Sequence, residues 1–391
     1  MRDEINEYLE DLYFKGIKPL IVVEGDIAYI RDPVFHINRN RVVAEVLMGL
    51  LRSGMEKDKN LLKKMFNFLK KRQNPDGSWN EIHVNYNNPA TLITAICGSA
   101  FLLGEKKGLI DDPTIADRAG FYLLNNIIEL GYFRKSEKYN ADFLNVNATN
   151  GAFLAEYWEA RGDEKSRNAA LDAGLRIASQ QWENGSYPYT SNKGNFPQHL
   201  IVPCIHYQGV TLYYLIKLNK ILKDEMIQSS INKGTKWLAS VQKKNGSLKW
   251  TRSGMIFALY LTGAYGFATS VFLDRKMTTH AKRSFNILKE NTRTIANRWQ
   301  SEYKIKLIIN LIFPLRPLRI AFIGKYTLKE RIIRYGYSYY KEFNRLVFRE
   351  KYNDRLFKLI IKILRQKIST TEPSNNFSDL FITSEIFECF R

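Results

Sequence analysis

Long apolar runs are missing from this sequence. The longest, Leu307 to Leu315, falls far short of the ~20 residues that cross a bilayer as a helix. Met1 to Phe14 is acidic and amphipathic, so neither a secretory leader nor a membrane-spanning start is expected and the chain reads as cytoplasmic. Cysteine is scarce: Cys97, Cys204 and Cys389 are scattered without the spacing of a zinc site or a disulfide framework, in keeping with a reducing compartment. Neither metal nor other cofactor is expected. Acidic side chains are also in deficit, with 59 Lys and Arg against 39 Asp and Glu, a formal net charge of +20. That excess is local. Residues 275–369 hold 24 basic against 6 acidic side chains, whereas residues 1–274 hold 34 against 29, so charge says little about what the larger part of the chain binds.

What is present is a repeated turn. In Gln73-Asn74-Pro75-Asp76-Gly77-Ser78-Trp79, Asn, Pro, Asp and Gly occupy the positions that favour a type I turn. Before it, Leu61, Leu62, Met65, Phe66 and Leu69 recur at helical spacing with lysines between them. After it, Pro89 to Gly104 is almost wholly apolar and rich in small residues, which suits a helix packed on several sides. Gln181 to Tyr187 and Gln242 to Leu248 repeat the pattern Gln, three residues, Gly, Ser, large apolar residue, at separations of 108 and 61 residues. A degenerate copy is expected midway across the longer gap, at Glu129 to Phe133.

The Gln-x-x-x-Gly-x-Trp pattern at the end of an outer helix resembles the repeat of the squalene and terpenoid cyclase and protein prenyltransferase superfamily, over roughly residues 40–300. That resemblance implies an all-α fold, an α/α toroid of five or six inner and outer helix pairs. Residues 145–189 and 206–250 bear a looser resemblance to toroid proteins of surface-polysaccharide synthesis. Five pairs can be paced out: inner 42–51 with outer 59–72, then 89–104 with 114–129, 147–160 with 164–180, 207–222 with 226–241, and 254–272 with 278–298. The expected organisation is a lead-in over 1–38, the toroid over 39–300 and a basic C-terminal extension over 301–391. The extension either completes the ring or binds a membrane. Within it Arg355, Lys358, Lys362 and Arg365 alternate with Leu356, Leu359, Ile360, Ile363 and Leu364, a basic amphipathic helix. An anionic membrane surface is one partner it fits through residues 301–368; packing on the toroid is the other reading, and nucleic acid ranks last because no recognisable module accompanies Tyr335, Tyr337, Tyr339 and Tyr340. Residues 369–391 read as a loosely held tail.

In a toroid the segments preceding the inner helices gather at one mouth. They carry His36 and Arg39; His83 and Tyr86; Asp142, Asn145 and Asn147; His206 and Tyr207; Trp250 and Arg252. Polar and aromatic groups converging on an apolar-walled cavity suit a saccharide or lipid-linked substrate. The chemistries of the resembled superfamily find no matching motif. There is no Asp-x-Asp-Asp acid, Asp111, Asp112 and Asp117 lack the spacing of a magnesium site, and no carboxylate precedes Cys204 to make a zinc site. Uronate lyase or epimerase chemistry needs a base, an acid and a group that neutralises a carboxylate. Asn147, His206 and Tyr207 are the expected catalytic set, with Asp142 as the mouth-side carboxylate and Arg39 or Arg252 holding the substrate. His36, His83, Tyr86, Asn145 and Trp250 complete the expected substrate-binding lining, and Trp79 is a further stacking candidate. The alternatives are a prenyl-chain enzyme without the usual motifs and a non-catalytic toroid that binds a saccharide or a partner protein.

Overall fold

The structure is a computed structural model that describes residues 1–32, 37–83, 86–137, 141–191, 201–249, 252–253, 261–290 and 380–390. Helix α1 (Arg2–Asp11) continues through a wider turn, Leu12–Ile17, into the antiparallel hairpin of β1 (Ile21–Glu24) and β2 (Ile27–Ile30). Inner and outer helices then alternate. The inner ones are α2 (Asn40–Ser53), α4 (Thr91–Lys106), α6 (Leu144–Arg161), α8 (Ile205–Leu222) and α10 (Leu261–Asp274). The outer ones are α3 (Lys59–Lys71), α5 (Thr114–Leu124), α7 (Glu164–Ser179), α9 (Glu225–Ser240) and α11 (278–290). Apolar and small side chains all round keep the inner helices buried, whereas the outer ones bury one stripe each. Asp58, Asp163 and Asp224 cap α3, α7 and α9 by accepting from backbone N–H groups in their first turns.

The repeated turn performs one task four times. Gln73 Nε2 donates to Gly77 O and to Ile115 O on the next outer helix, and Gln181 Nε2 donates likewise to Gly185 O and Ser230 O. Gln242 reaches His280 O and Ser284 Oγ. The turn glycines Gly77, Gly131, Gly185 and Gly246 all have positive φ, and a Cβ on any of them would meet a backbone carbonyl of the next outer helix. The residue two after each glycine then donates its N–H to a side chain of the following inner helix: Trp79 to Thr94, Phe133 to Asn147, Tyr187 to Gln208, Leu248 to Tyr265. The degenerate copy at Glu129 to Phe133 is thus a true copy, built as the hairpin β5 (Ile127–Glu129) and β6 (Tyr132–Phe133). A further hairpin, β3 (Asn80–His83) with β4 (Tyr86–Pro89), leads into α4.

The ring is closed from both ends of the chain. Helix α12 (Leu380–Cys389) lies between α10 and α2 and makes the sixth inner position. Its outer companion is α1 with the turn that follows: Tyr13 stacks on Phe387 at 5.9 Å, Tyr8 meets Phe390 and Phe285 edge-on, and Glu4 pairs with Lys289 of α11. The expectation of a loose tail is corrected for residues 380–390, because Leu380 and every residue from 383 to 390 are buried. The basic amphipathic stretch, residues 355–365, lies outside the described residues, and no described helix is long and apolar enough to cross a membrane.

Candidate functional site

Two inner helices, α2 and α8, bring polar side chains of their first turns together where α12 meets them. Arg41, the second residue of α2, donates from Nε to Glu45 Oε1 one turn later at 2.6 Å and from Nη2 to Glu385 Oε1 of α12. Ser384 Oγ donates to the other Glu45 oxygen at 2.6 Å. His206, the second residue of α8, sits with Nε2 3.6 Å from Glu385 Oε2, and Gly263 of α10 leaves room beside both groups. A Cβ at Gly263 would lie 3.1 Å from His206 Cε1 and 3.2 Å from Glu385 Oε2.

Burial sets the electrostatics of this layer. Glu45 and Glu385 are almost fully buried, while the Arg41 side chain keeps 12% exposure. Burial opposes the charge on Arg41, yet Glu45 and Glu385 outweigh it and hold the guanidinium firmly protonated. Desolvation raises the Glu45 carboxyl, against the pull of Arg41 and the Ser384 hydroxyl. Desolvation and the Arg41 charge hold the His206 imidazole down to about 3. Glu385 Oε2 stands 3.6 Å from His206 Nε2, beyond a hydrogen bond. His206 is therefore neutral near pH 7.

An aromatic arc leads from the α6 entry to this layer. Phe143 meets Tyr189 edge-on at 5.1 Å, Tyr189 stacks on Tyr207 at 4.5 Å, and Tyr207 meets His206 at 5.0 Å. Tyr189 and Tyr207 are half-buried. Lys135, paired with Glu81 at 3.3 Å, lies over the Phe143 ring.

The sequence-expected residues divide into those that share this place and those that hold loops. His206 and Tyr207 are adjacent in the axial layer and arc. Asn147 and Asp142 are engaged in the repeated turn. Asn147 is the inner-helix acceptor of the repeated turn, equivalent to Thr94, Gln208 and Tyr265, and its amide donates to Asp142 at 2.6 Å. Asp142, fully buried, also accepts from Arg176 and Ser191. Both are committed to fastening the β5–β6 hairpin and the residue 191 segment. Arg39 is buried, pairs with Asp32 and donates to Ile82 O at 3.3 Å, tying the α2 entry to β3. Trp79 is core, stacked on Phe101 with its indole N–H donating to Leu69 O. Tyr86 is partly buried and donates to Ser136 Oγ at 2.8 Å; Asn145 is buried at the start of α6; Arg252 is exposed. His83 lies in β3, its backbone opposite Tyr86. His36 and Trp250 lie outside the described residues. Among the described residues no His, Cys, Asp and Glu group is arranged to hold a metal ion.

Arg41, Glu45, Glu385 and Gly263 were absent from the sequence-based set. A signal existed: Arg41 and Glu45 stand four residues apart in a largely apolar inner helix, and Glu385 and Glu388 interrupt an apolar C-terminal segment. Which helices those segments face is a matter of ring closure, which the spacing does not give.

No protein-family model matches the chain, and neither does any curated protein. Solved structures do match, at the level of the fold. The chain is similar to a reducing-end-xylose releasing exo-oligoxylanase (TM-score 0.55, 14% identity, 74% of this chain and 86% of that one) and to a variant of that enzyme complexed with xylobiose (TM-score 0.54, 14% identity, 74% and 87%). It is likewise similar to a Rex8A variant from Paenibacillus barcinonensis complexed with xylose (TM-score 0.55, 10% identity, 74% and 91%). With the helix order and ring closure described above, these likenesses establish an α/α toroid.

Proposed function

We propose that this protein is a carbohydrate-active enzyme that hydrolyses an uncharged oligosaccharide at the mouth formed by the inner-helix N-termini. The observation that carries this reading is the axial layer in which one guanidinium, Arg41, holds two carboxyl groups, Glu45 and Glu385, beside a neutral His206. Glycosidic hydrolysis calls for two carboxyl groups in different protonation states, one giving a proton to the leaving oxygen and one acting as base or nucleophile. With both ionised the layer would carry one net negative charge, and burial disfavours that, as the raised Glu45 carboxyl reflects. The half-buried Tyr189 and Tyr207 offer apolar faces on which a sugar ring can rest, with polar groups beside them.

Uronate lyase or epimerase action fits less well. Arg41 is already engaged by two carboxyl groups and has no free edge for a substrate carboxylate, and an imidazole held down to about 3 is a weak base for a carbon acid. The xylobiose and xylose found with toroids of similar fold support a saccharide as the kind of ligand. The test is to incubate the purified chain with neutral and uronate-containing oligosaccharides and assay new reducing ends. Cleavage of a neutral oligosaccharide, lost by about 10²–10⁴-fold in Glu385→Gln, is expected. An unsaturated uronate product, with Glu385→Gln retaining full rate, would contradict the hydrolytic reading.

A further inference from the structure

A second buried charged layer lies further along the inner helices, and its side chains are separate from those assigned above. Glu388, three residues after Glu385 on α12, accepts from Arg52 of α2 at 2.8 Å and from Tyr213 of α8 at 2.9 Å, with Lys217 Nζ of α8 at 3.9 Å. Arg52 also donates to the Glu388 backbone carbonyl. Lys217, only 5% exposed, pairs on its other side with Glu156 of α6 at 3.2 Å, and Glu156 accepts from Ser99 of α4 at 2.6 Å. Five of the six inner helices thus meet in one network. Its charges balance, two cations against two carboxylates. Burial opposes the charge on Glu388, but Arg52 and Lys217 overcome it and hold the carboxyl below the usual glutamate range.

The seat of α12 is cut to fit a helix. A Cβ at Gly49 of α2 would strike the Phe387 ring at 2.4 Å, and one at Gly266 of α10 would crowd Ile386 at 3.2 Å. The apolar side of α12 therefore fits closely, and to that fit the Glu388 charge adds directional bonds from Arg52 and Tyr213 and the nearby Lys217 cation. Because Glu385 and Glu388 are less than one turn apart on a rigid helix, the depth at which Glu388 locks determines where Glu385 stands.

We propose that Glu388 is a positioning residue: by engaging Arg52, Tyr213 and Lys217 it locks the C-terminal helix at one depth and so holds Glu385 against Arg41 and beside His206. The role of Glu385 in turnover rests on the proposed function; the locking itself does not, and the two are tested apart. Cys389, the last residue of α12, is fully buried, as is Cys97, and Cys204 is nearly so. Full-length wild type, Glu388→Gln and Arg52→Met are treated with iodoacetamide under native conditions and the alkylated cysteines are identified by mass spectrometry. Release of α12 alone should label Cys389 at least ~10-fold faster than in wild type in one or both variants, with Cys97 and Cys204 protected. Wild-type protection of Cys389 in both variants would overturn the lock. So would labelling of all three cysteines in step, because α12 would then leave only when the whole ring melts.

Turnover of a neutral oligosaccharide supplies the second arm. Glu388→Gln should lower kcat towards the Glu385→Gln level with KM little changed, and the double variant should be no worse than Glu385→Gln alone, as for groups that act as a unit. Additive losses would reject positioning through Glu385 while leaving the lock intact. If wild type cleaves nothing but Cys389 is released selectively, the hydrolytic reading fails and the lock stands.

Discussion

At the scale of single residues, His206 is the group whose protonation distinguishes the folded from the unfolded chain most plainly. Its imidazole is held down to about 3 by burial and by Arg41, against an ordinary value near 6.5. Above pH 6.5 both states are neutral and His206 contributes nothing to the pH dependence. As pH falls below 6.5 the unfolded chain takes up a proton that the folded chain refuses, so stability falls, with a slope approaching ~1.4 kcal/mol per pH unit, until about 3. Denaturant titrations of wild type and His206→Gln at pH 7 and pH 5 should therefore differ. The variant should lose about 2 kcal/mol less than wild type between the two; equal losses would mean that His206 titrates normally in the fold. Glu388 also destabilises in acid as its lowered carboxyl protonates, but it does so in both proteins and cancels in the comparison. The position of His206 and Tyr207 in the first turn of an inner helix was legible in the sequence, because the helical pattern begins there. Asn147 and Asp142 stand in the same kind of segment, yet the repeated turn consumes them, and residue type alone does not separate the two outcomes.

At the scale of elements, the glycine turns carry a comparable test. Gly131 has φ +69° and a Cβ there would sit 2.2 Å from Asp172 O, whereas Gly108, with φ +66°, has nothing within 4 Å. Both positions impose the left-handed backbone, but only Gly131 also presses on a neighbour. Gly108→Ala should cost about 1 kcal/mol from backbone strain, and Gly131→Ala clearly more, in the range of ~2–4 kcal/mol. Equal melting temperatures for the two variants would show that the turn does not rest on α7. The helix order was legible because Gln, Gly and a large apolar residue recur at fixed spacing, and hydrophobic period separates inner from outer helices. Even the degenerate copy at Gly131 could be placed. The Gln73 contact with Ile115 O was not readable, since it joins segments 42 residues apart.

At the scale of the whole molecule, the ring is assembled from both ends of the chain: α1 supplies an outer position and α12 the inner one beside it. Sequence spacing reached five pairs and left the sixth open, because α1 and α12 carry no copy of the turn and lie at opposite ends of the sequence. That same gap hid the axial layer, since Glu385 faces Arg41 across 344 residues. The most direct test of the account is a structure of the full-length Glu385→Gln variant with an uncharged oligosaccharide such as xylobiose or xylotriose. The account predicts a sugar ring resting on Tyr207 and Tyr189, with a hydroxyl within hydrogen-bonding reach of Arg41. A saccharide bound only on the outer surface, or a mouth that stays empty at saturating concentration while the protein remains folded, would contradict it.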